Sequence, residues 1–234
     1  MLHYKGELVE LLLERYQNAT ARLRLPKAAL PQPGQYLQAH SEHPDEILPV
    51  SLFAAGDAEA IRNSEDILLP VAGDLPAYWQ PGLELHLRGP LGRGFELPQE
   101  IQRLALVALD AHPGRLLPLM AAALERGCAV SLFAEGDVAE LPLDVEIRPL
   151  AALPEALRWA DFLALDLPHQ RQEDLPAILG LAPGDPLPAG EALVLALMPC
   201  GGSADCGVCA IETAKGAQLC CADGPVFPLQ ILLE

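Results

Sequence analysis

"LALVALDAHPGRLLPLMAAALERGCAVSLF", Leu104 to Phe133, carries the reading that decides the fold. Leu104 to Leu109 is a continuous apolar run of strand length, as expected of a strand covered on both faces. Arg115 to Arg126 has helical composition, and Ala129 to Phe133 is apolar again. Strand, helix and strand in that order predict a parallel sheet of the α/β kind. Asp161 to Leu165 and Leu193 to Leu197 repeat the buried-strand signature, with Pro154 to Trp159 as a short helix among them. Pro168 to Gly190 holds five prolines and reads as a loop with one helical turn at most.

Upstream of this unit the pattern is different. Short apolar stretches alternate with turn residues at Glu7–Leu13, Ala19–Leu25, Gln35–Ala39, Pro49–Phe53, Asp66–Val71 and Leu83–Leu87. That spacing predicts an antiparallel barrel or sandwich. The chain therefore divides into an antiparallel unit over 1–98, an α/β unit over 99–197 and a cysteine-rich segment over 198–234.

The charge balance narrows the function classes. Fifteen Lys and Arg against 32 Asp and Glu give a net charge of -17. No basic stripe is available to displace phosphate counterions, so nucleic acid is excluded as a partner. Although 51% of residues are hydrophobic, Pro, Gly and charges interrupt each apolar run before it reaches the roughly 18 residues of a membrane span. The N-terminus has neither a basic start with an apolar block nor a small-residue cleavage site, and the expectation is a cytoplasmic protein. In a reducing compartment, clustered cysteines predict metal or redox chemistry rather than disulfides.

Five of the six cysteines lie between Met198 and Cys221. Cys200, Cys206 and Cys209 are spaced Cys-x5-Cys-x2-Cys among Gly201, Gly202 and Gly207, and Cys220 and Cys221 follow. Glycines let backbone amides approach sulfur, and four thiolates suit a tetrahedral zinc or an iron-sulfur cluster. One close pair, a third cysteine shortly before it and a fourth farther on approach the plant-type [2Fe-2S] pattern, with one extra residue in the first gap. Neighbouring residues in an extended chain point to opposite sides, so only one of Cys220 and Cys221 joins the same site, and spacing does not say which. Cys128, Trp79 and Trp159 read as packing residues, and His112 as a turn residue without a role.

These residues also carry a family resemblance. "CGGSADCGVCAI" with "CADGPVF" resembles the C-terminal [2Fe-2S] segment of the dihydroorotate dehydrogenase electron transfer subunits, within the ferredoxin-NADP reductase superfamily. "GPLGRGFEL", Gly89–Leu97, is similar to the family's junction between barrel and second domain, and "PGQYL", Pro33–Leu37, to an early barrel strand. The resemblance implies an antiparallel barrel, a nucleotide-binding-like α/β domain and a cluster-bearing tail. It implies Cys200, Cys206, Cys209 and Cys221 as ligands. It implies electron flow from NADH through FAD and the cluster to flavin in a separate catalytic subunit of pyrimidine biosynthesis, and hence a hetero-oligomer.

The sequence departs from the family at both nucleotide sites. Pro49, Val50 and Ser51 remain of the flavin stretch, but Ile47 and Leu48 stand where an arginine precedes it, and an aliphatic chain makes no bidentate phosphate contact. Gly73 remains of the second flavin segment, with Asp74, Leu75 and Pro76 after it. The turn after the first parallel strand reads Asp110-Ala111-His112-Pro113-Gly114, where close approach of a pyrophosphate needs more glycine. The sequence thus predicts a [2Fe-2S] relay subunit with FAD at Pro49, Val50, Ser51 and Gly73 as a cofactor to be tested, no NAD(H) site and no catalytic residue of its own. The alternative is an assembly or regulatory subunit whose tail holds a structural metal.

Overall fold

The computed structural model describes residues 2–13, 19–110, 113–135, 141–142, 144–182 and 184–233. Ala111 and His112 lie outside the described residues. No helix among the described residues is long and apolar enough to cross a membrane.

The first seven strands are β1 (His3–Leu13), β2 (Ala19–Pro26), β3 (Tyr36–His40), β4 (Val50–Ala54), β5 (Glu59–Ala60), β6 (Asp66–Ala72) and β7 (Glu84–Leu91). They pair antiparallel in the order β2-β1-β7-β3-β4-β6, and β6 returns to β2, closing a six-stranded barrel with the short β5 appended to β6. Of the two antiparallel architectures open to the sequence, the barrel is the one formed. Closure removes both sheet edges.

Alternation along the strands sorts the side chains. Leu37, Leu52, Leu69, Leu85 and Leu87 face inward and form the barrel core with Leu8, Leu23 and Trp79. Tyr36 and Phe53 instead join a second, larger core with the α/β unit, together with Phe95 from the junction. One outer face of the barrel is therefore sealed against the rest of the chain.

The second sheet is built from β8 (Arg103–Ala108), β9 (Ala129–Phe133), β10 (Glu146–Arg148), β11 (Phe162–Pro168) and β12 (Gly190–Leu195), all parallel, in the order β10-β9-β8-β11-β12. Strand order reverses between β8 and β11, the arrangement of doubly wound folds. Helix α1 (Leu117–Glu125) links β8 to β9, and α2 (Leu153–Trp159) and α3 (Leu175–Ile178) flank β11. The expected helix at Arg115 begins two residues later. A 3-10 turn over Pro113–Leu116 precedes it, and Pro118 sits in its first turn, where its missing amide hydrogen costs nothing.

The cysteine-rich segment forms a two-stranded ribbon, β13 (Ala210–Thr213) with β14 (Gly216–Leu219). It then returns to the second sheet through β15 (Val226–Pro228), which pairs antiparallel with β12, and ends in α4 (Leu229–Leu233). The tail is thus stitched into the α/β sheet. Junction and tail also hold each other: Arg93 forms a bridge with Pro225 and donates its amide to the Gly224 carbonyl at 2.5 Å. Arg93 Nη2 pairs with Glu191 Oε1 at 2.5 Å, and the Glu96 amide donates to Glu191 Oε2 at 2.8 Å.

Candidate functional site

The cysteine loop bends through four left-handed residues, Gly201, Gly202, Ala204 and Gly207, with φ of +62°, +77°, +65° and +70°. Left-handed backbone is nearly free for glycine and costs a residue with a Cβ about 1–2 kcal/mol, so Ala204 is a strained position. The bends turn amides inward. The Ala204 amide lies against both Cys200 and Cys221, and the Gly202 amide also reaches Cys200.

The thiols fall into two pairs. Cys200 lies beside Cys206, while Cys209 lies beside Cys221, whose backbone amide donates to Cys209 Sγ at 3.5 Å. The Ala204 amide sits between the pairs. Cys209 and Cys221 are buried, Cys200 is half-buried and Cys206 is exposed. Burial pushes the Cys200 thiol up, yet Ser203, Cys206 and the two amides outweigh it and hold the group down to about 6. Cys221 is pushed up to about 12, first by burial and then by the Cys209 and Cys200 sulfurs.

Cys220, the other member of the Cys-Cys dipeptide, is fully buried and pushed up to about 12 by burial and by Cys209 and Cys221. The two residues sit in a turn after β14 rather than in extended chain. Cys221 interacts with Cys200 and Cys209, and Cys220 with Cys209 and Cys221. Cys128 lies apart in the α/β core, its thiol against the Ile101 carbonyl at 3.4 Å.

Among the described residues, no three His, Cys, Asp or Glu side chains converge closely enough to hold a single metal ion. Two pairs of thiols on either side of a shared amide are a different donor set. A mononuclear zinc needs four ligands around one point, whereas a dinuclear cluster takes two thiolates on each of two metals. The residues present fit the second.

Barrel strand β3 forms the wall behind the thiols. Buried Tyr36 donates its hydroxyl to the Cys221 carbonyl at 3.3 Å, and burial and the Cys221 sulfur raise its phenol above the ordinary range. Gly92, with φ of +74°, packs into the same corner. A Cβ there would lie 2.5 Å from Pro225 Cδ and 3.0 Å from Tyr36 Cε1. The second glycine of "GPLG" is thus explained by close packing of junction on tail, whereas Gly89 is hemmed in by Leu37 and Tyr36 within the barrel and Gly224 by Phe227 within the tail.

A cavity of about 470 Å³ opens between the barrel and the carboxyl ends of the parallel strands. Pro49, Val50, Ser51 and Gly73 line it together with Phe53, and Asp110, Arg115 and Leu195 to Met198 close the other side. Its volume suits a small-molecule site. Gly73 owes its lack of a side chain to the barrel: a Cβ would fall 2.5 Å from the Ser51 carbonyl oxygen. Ile47 and Leu48, which replace the expected arginine, are exposed, and Leu48 sits on the cavity rim. Arg115 reaches the cavity from the α/β side, bound to Asp110 at 2.5 Å, with its guanidinium carbon 5.9 Å from the Phe53 ring centre.

At the switch between β8 and β11, where doubly wound folds receive a nucleotide, the chain satisfies its own backbone. Asp166 Oδ1 accepts the amides of Leu109 and Asp110 at 2.7 and 3.1 Å, and Arg171 donates to the Leu109 carbonyl at 2.9 Å. Asp166 is absent from the sequence-based site; the aspartate inside the apolar run "LALDLP" is its available signal.

No family model matches this chain, and no curated protein matches it. Solved structures do. An NADH-dependent reduced ferredoxin-NADP oxidoreductase of flavin-based electron bifurcation superposes with a TM-score of 0.73 at 15% identity, over 97% of this chain and 88% of that one. The ferredoxin reductase of carbazole 1,9a-dioxygenase gives 0.55 at 17%, over 78% of this chain and 65% of that one. A cytochrome P450 reductase from Amycolatopsis gives 0.54 at 16%, over 78% and 67%. The chain spans about two thirds of the latter two. At these identities the likeness establishes architecture: the chain has the ferredoxin-reductase-like fold, a closed antiparallel barrel followed by an α/β sheet.

Proposed function

We propose that this protein is an electron-transfer subunit that relays electrons through a [2Fe-2S] cluster to a partner oxidoreductase subunit. The observation that carries the reading is the pairing of Cys200 with Cys206 and of Cys209 with Cys221 about the Ala204 amide. Each pair would hold one iron. The cluster, when bound, supplies one-electron exchange at a potential tuned by hydrogen bonds to sulfur and by exposure.

The chain's own residues do the rest. Gly202 and Ala204 present amides to the thiolates, while Tyr36 and the junction exclude water behind Cys209 and Cys221. Cys206 and its neighbours, residues 203–208, leave the opposite edge at the surface, where a partner would approach. The excess of acidic residues suits a partner of complementary charge. A dihydroorotate dehydrogenase-like flavoprotein is the partner that the sequence resemblance favours, and a cytoplasmic hetero-oligomer the assembly.

FAD is proposed for the interdomain cavity, with Pro49, Val50 and Ser51 along one side and Gly73 beside them. Leu48 at the rim supplies no cation there, so Arg115 is the cation among the described lining residues to meet a phosphate. Asp166 and Arg171 engage the backbone of Leu109 and Asp110 at the end of β8, the turn lacks the glycines a pyrophosphate needs, and NADH is not proposed as a ligand. Anaerobic isolation, visible absorption and release of flavin on denaturation test the reading. Broad visible absorption that bleaches with dithionite supports it; colourless protein with a stoichiometric structural metal instead supports an assembly subunit.

A further inference from the structure

We infer that Arg88 is the counter-charge of the cysteine-bound cluster and sets its reduction potential, an inference that rests on the [2Fe-2S] reading above. Arg88 lies on β7, on the barrel face that meets the tail. Its Nε and Nη2 atoms are buried and have no hydrogen-bond partner among the described residues. The residue as a whole is half-buried, but guanidinium stays charged at any pH a protein survives, and burying two of its donors without an anion is costly. The group is aimed at the cysteine loop: Cβ positions on Gly201 and Gly202 would lie 3.1 and 3.5 Å from Arg88 Nη2. It also acts electrostatically on Tyr36, whose hydroxyl meets Cys221. Thiolate-ligated iron-sulfur centres carry net negative charge that grows on reduction, which is the anion this site lacks.

A cross-strand row links the same residue to the cavity wall. Arg88 pairs with Gln38, and Gln38 with Ser51, whose hydroxyl accepts the Gln38 side-chain amide at 2.7 Å. Ser51 lines the cavity. Gly201 adds a second link, since its Cβ position is also 3.4 Å from Pro49 Cγ. Arg88 is therefore joined both to the thiol loop and, through Gln38 and Ser51, to the cavity wall. There its charge favours an electron arriving on the cluster over one remaining in the cavity.

Redox titration of the iron-loaded full chain, followed by visible absorption and electron paramagnetic resonance, tests this in the wild type, Arg88→Gln and Arg88→Lys. Removing the charge in Arg88→Gln is expected to lower the reduced-to-oxidised ratio at fixed ambient potential at least tenfold, which is about 59 mV for one electron. Arg88→Lys is expected to retain more than half of the effect. An iron-replete Arg88→Gln protein with the wild-type potential overturns the inference and leaves the cluster reading intact. If Arg88→Gln does not fold, Arg88→Lys decides, and a full tenfold fall in it counts against the charge. Wild-type protein that binds no iron overturns the cluster reading, and this inference with it.

Discussion

Asp166 Oδ1 accepts the Leu109 backbone amide at 2.7 Å, joining β11 to the end of β8 at the reversal of strand order. The carboxyl is buried, and burial pushes its pKa up to about 6, against the pull of the Asp110 and Leu109 amides and Arg115. Moving a carboxyl from about 4 to about 6 is worth about 3 kcal/mol. The folded protein holds the proton more tightly than the unfolded chain. This contribution is therefore complete below about pH 4 and is lost as pH rises through 6. Asp166→Asn keeps an acceptor for the amides without the charge. Denaturant unfolding at pH 4 and pH 7 is expected to show the variant gaining about 2 kcal/mol on the wild type between the two; parallel profiles would contradict it.

Gly92 and Gly82 both have left-handed backbone, with φ of +74° and +92°, but only Gly92 is hemmed in. Gly82→Ala meets nothing within 4 Å and should cost about 1–2 kcal/mol of backbone strain. Gly92→Ala adds collisions with Pro225 and Gly224 and is expected to cost a further 1–3 kcal/mol, about the usual penalty of overpacking. It should also lower iron content, because the displaced tail carries Cys221. Equal losses in the two variants would show that junction and tail are not tightly docked.

The adjacent thiols separate cleanly. Cys221→Ala removes a sulfur that interacts with both Cys200 and Cys209, whereas Cys220→Ala removes a fully buried one set against Cys209 and Cys221. Iron per chain is expected to collapse in Cys221→Ala and to persist in Cys220→Ala. Reversal of that order would assign the fourth ligand to Cys220.

The parallel strands were legible because burial on both faces leaves an unbroken apolar run, as in Leu104–Leu109. The barrel strands were legible from turn punctuation, to within a few residues at most ends. Strand β10 was not: Glu146–Arg148 is a three-residue edge strand, with Glu146 and Ile147 exposed, and carries no apolar pattern. The return of Val226–Pro228 into the sheet is a long-range pairing with no local signal. For the site, Cys spacing located the thiols, but their division into pairs depends on the left-handed bends at Gly201, Gly202 and Ala204. Arg88 reads locally as a solvated strand residue, and only the long-range approach of Gly201 and Gly202 to its Nη2 marks it out. Pro49, Val50, Ser51 and Gly73 do meet at one cavity, although Gly73 is required there by the Ser51 carbonyl whatever the cavity holds.

The central claim is that Cys200, Cys206, Cys209 and Cys221 together hold two irons. The most direct measurement is iron and acid-labile sulfide per chain in protein isolated without oxygen. Two of each is predicted for a [2Fe-2S] centre. One zinc without sulfide, or no metal at all, would contradict it.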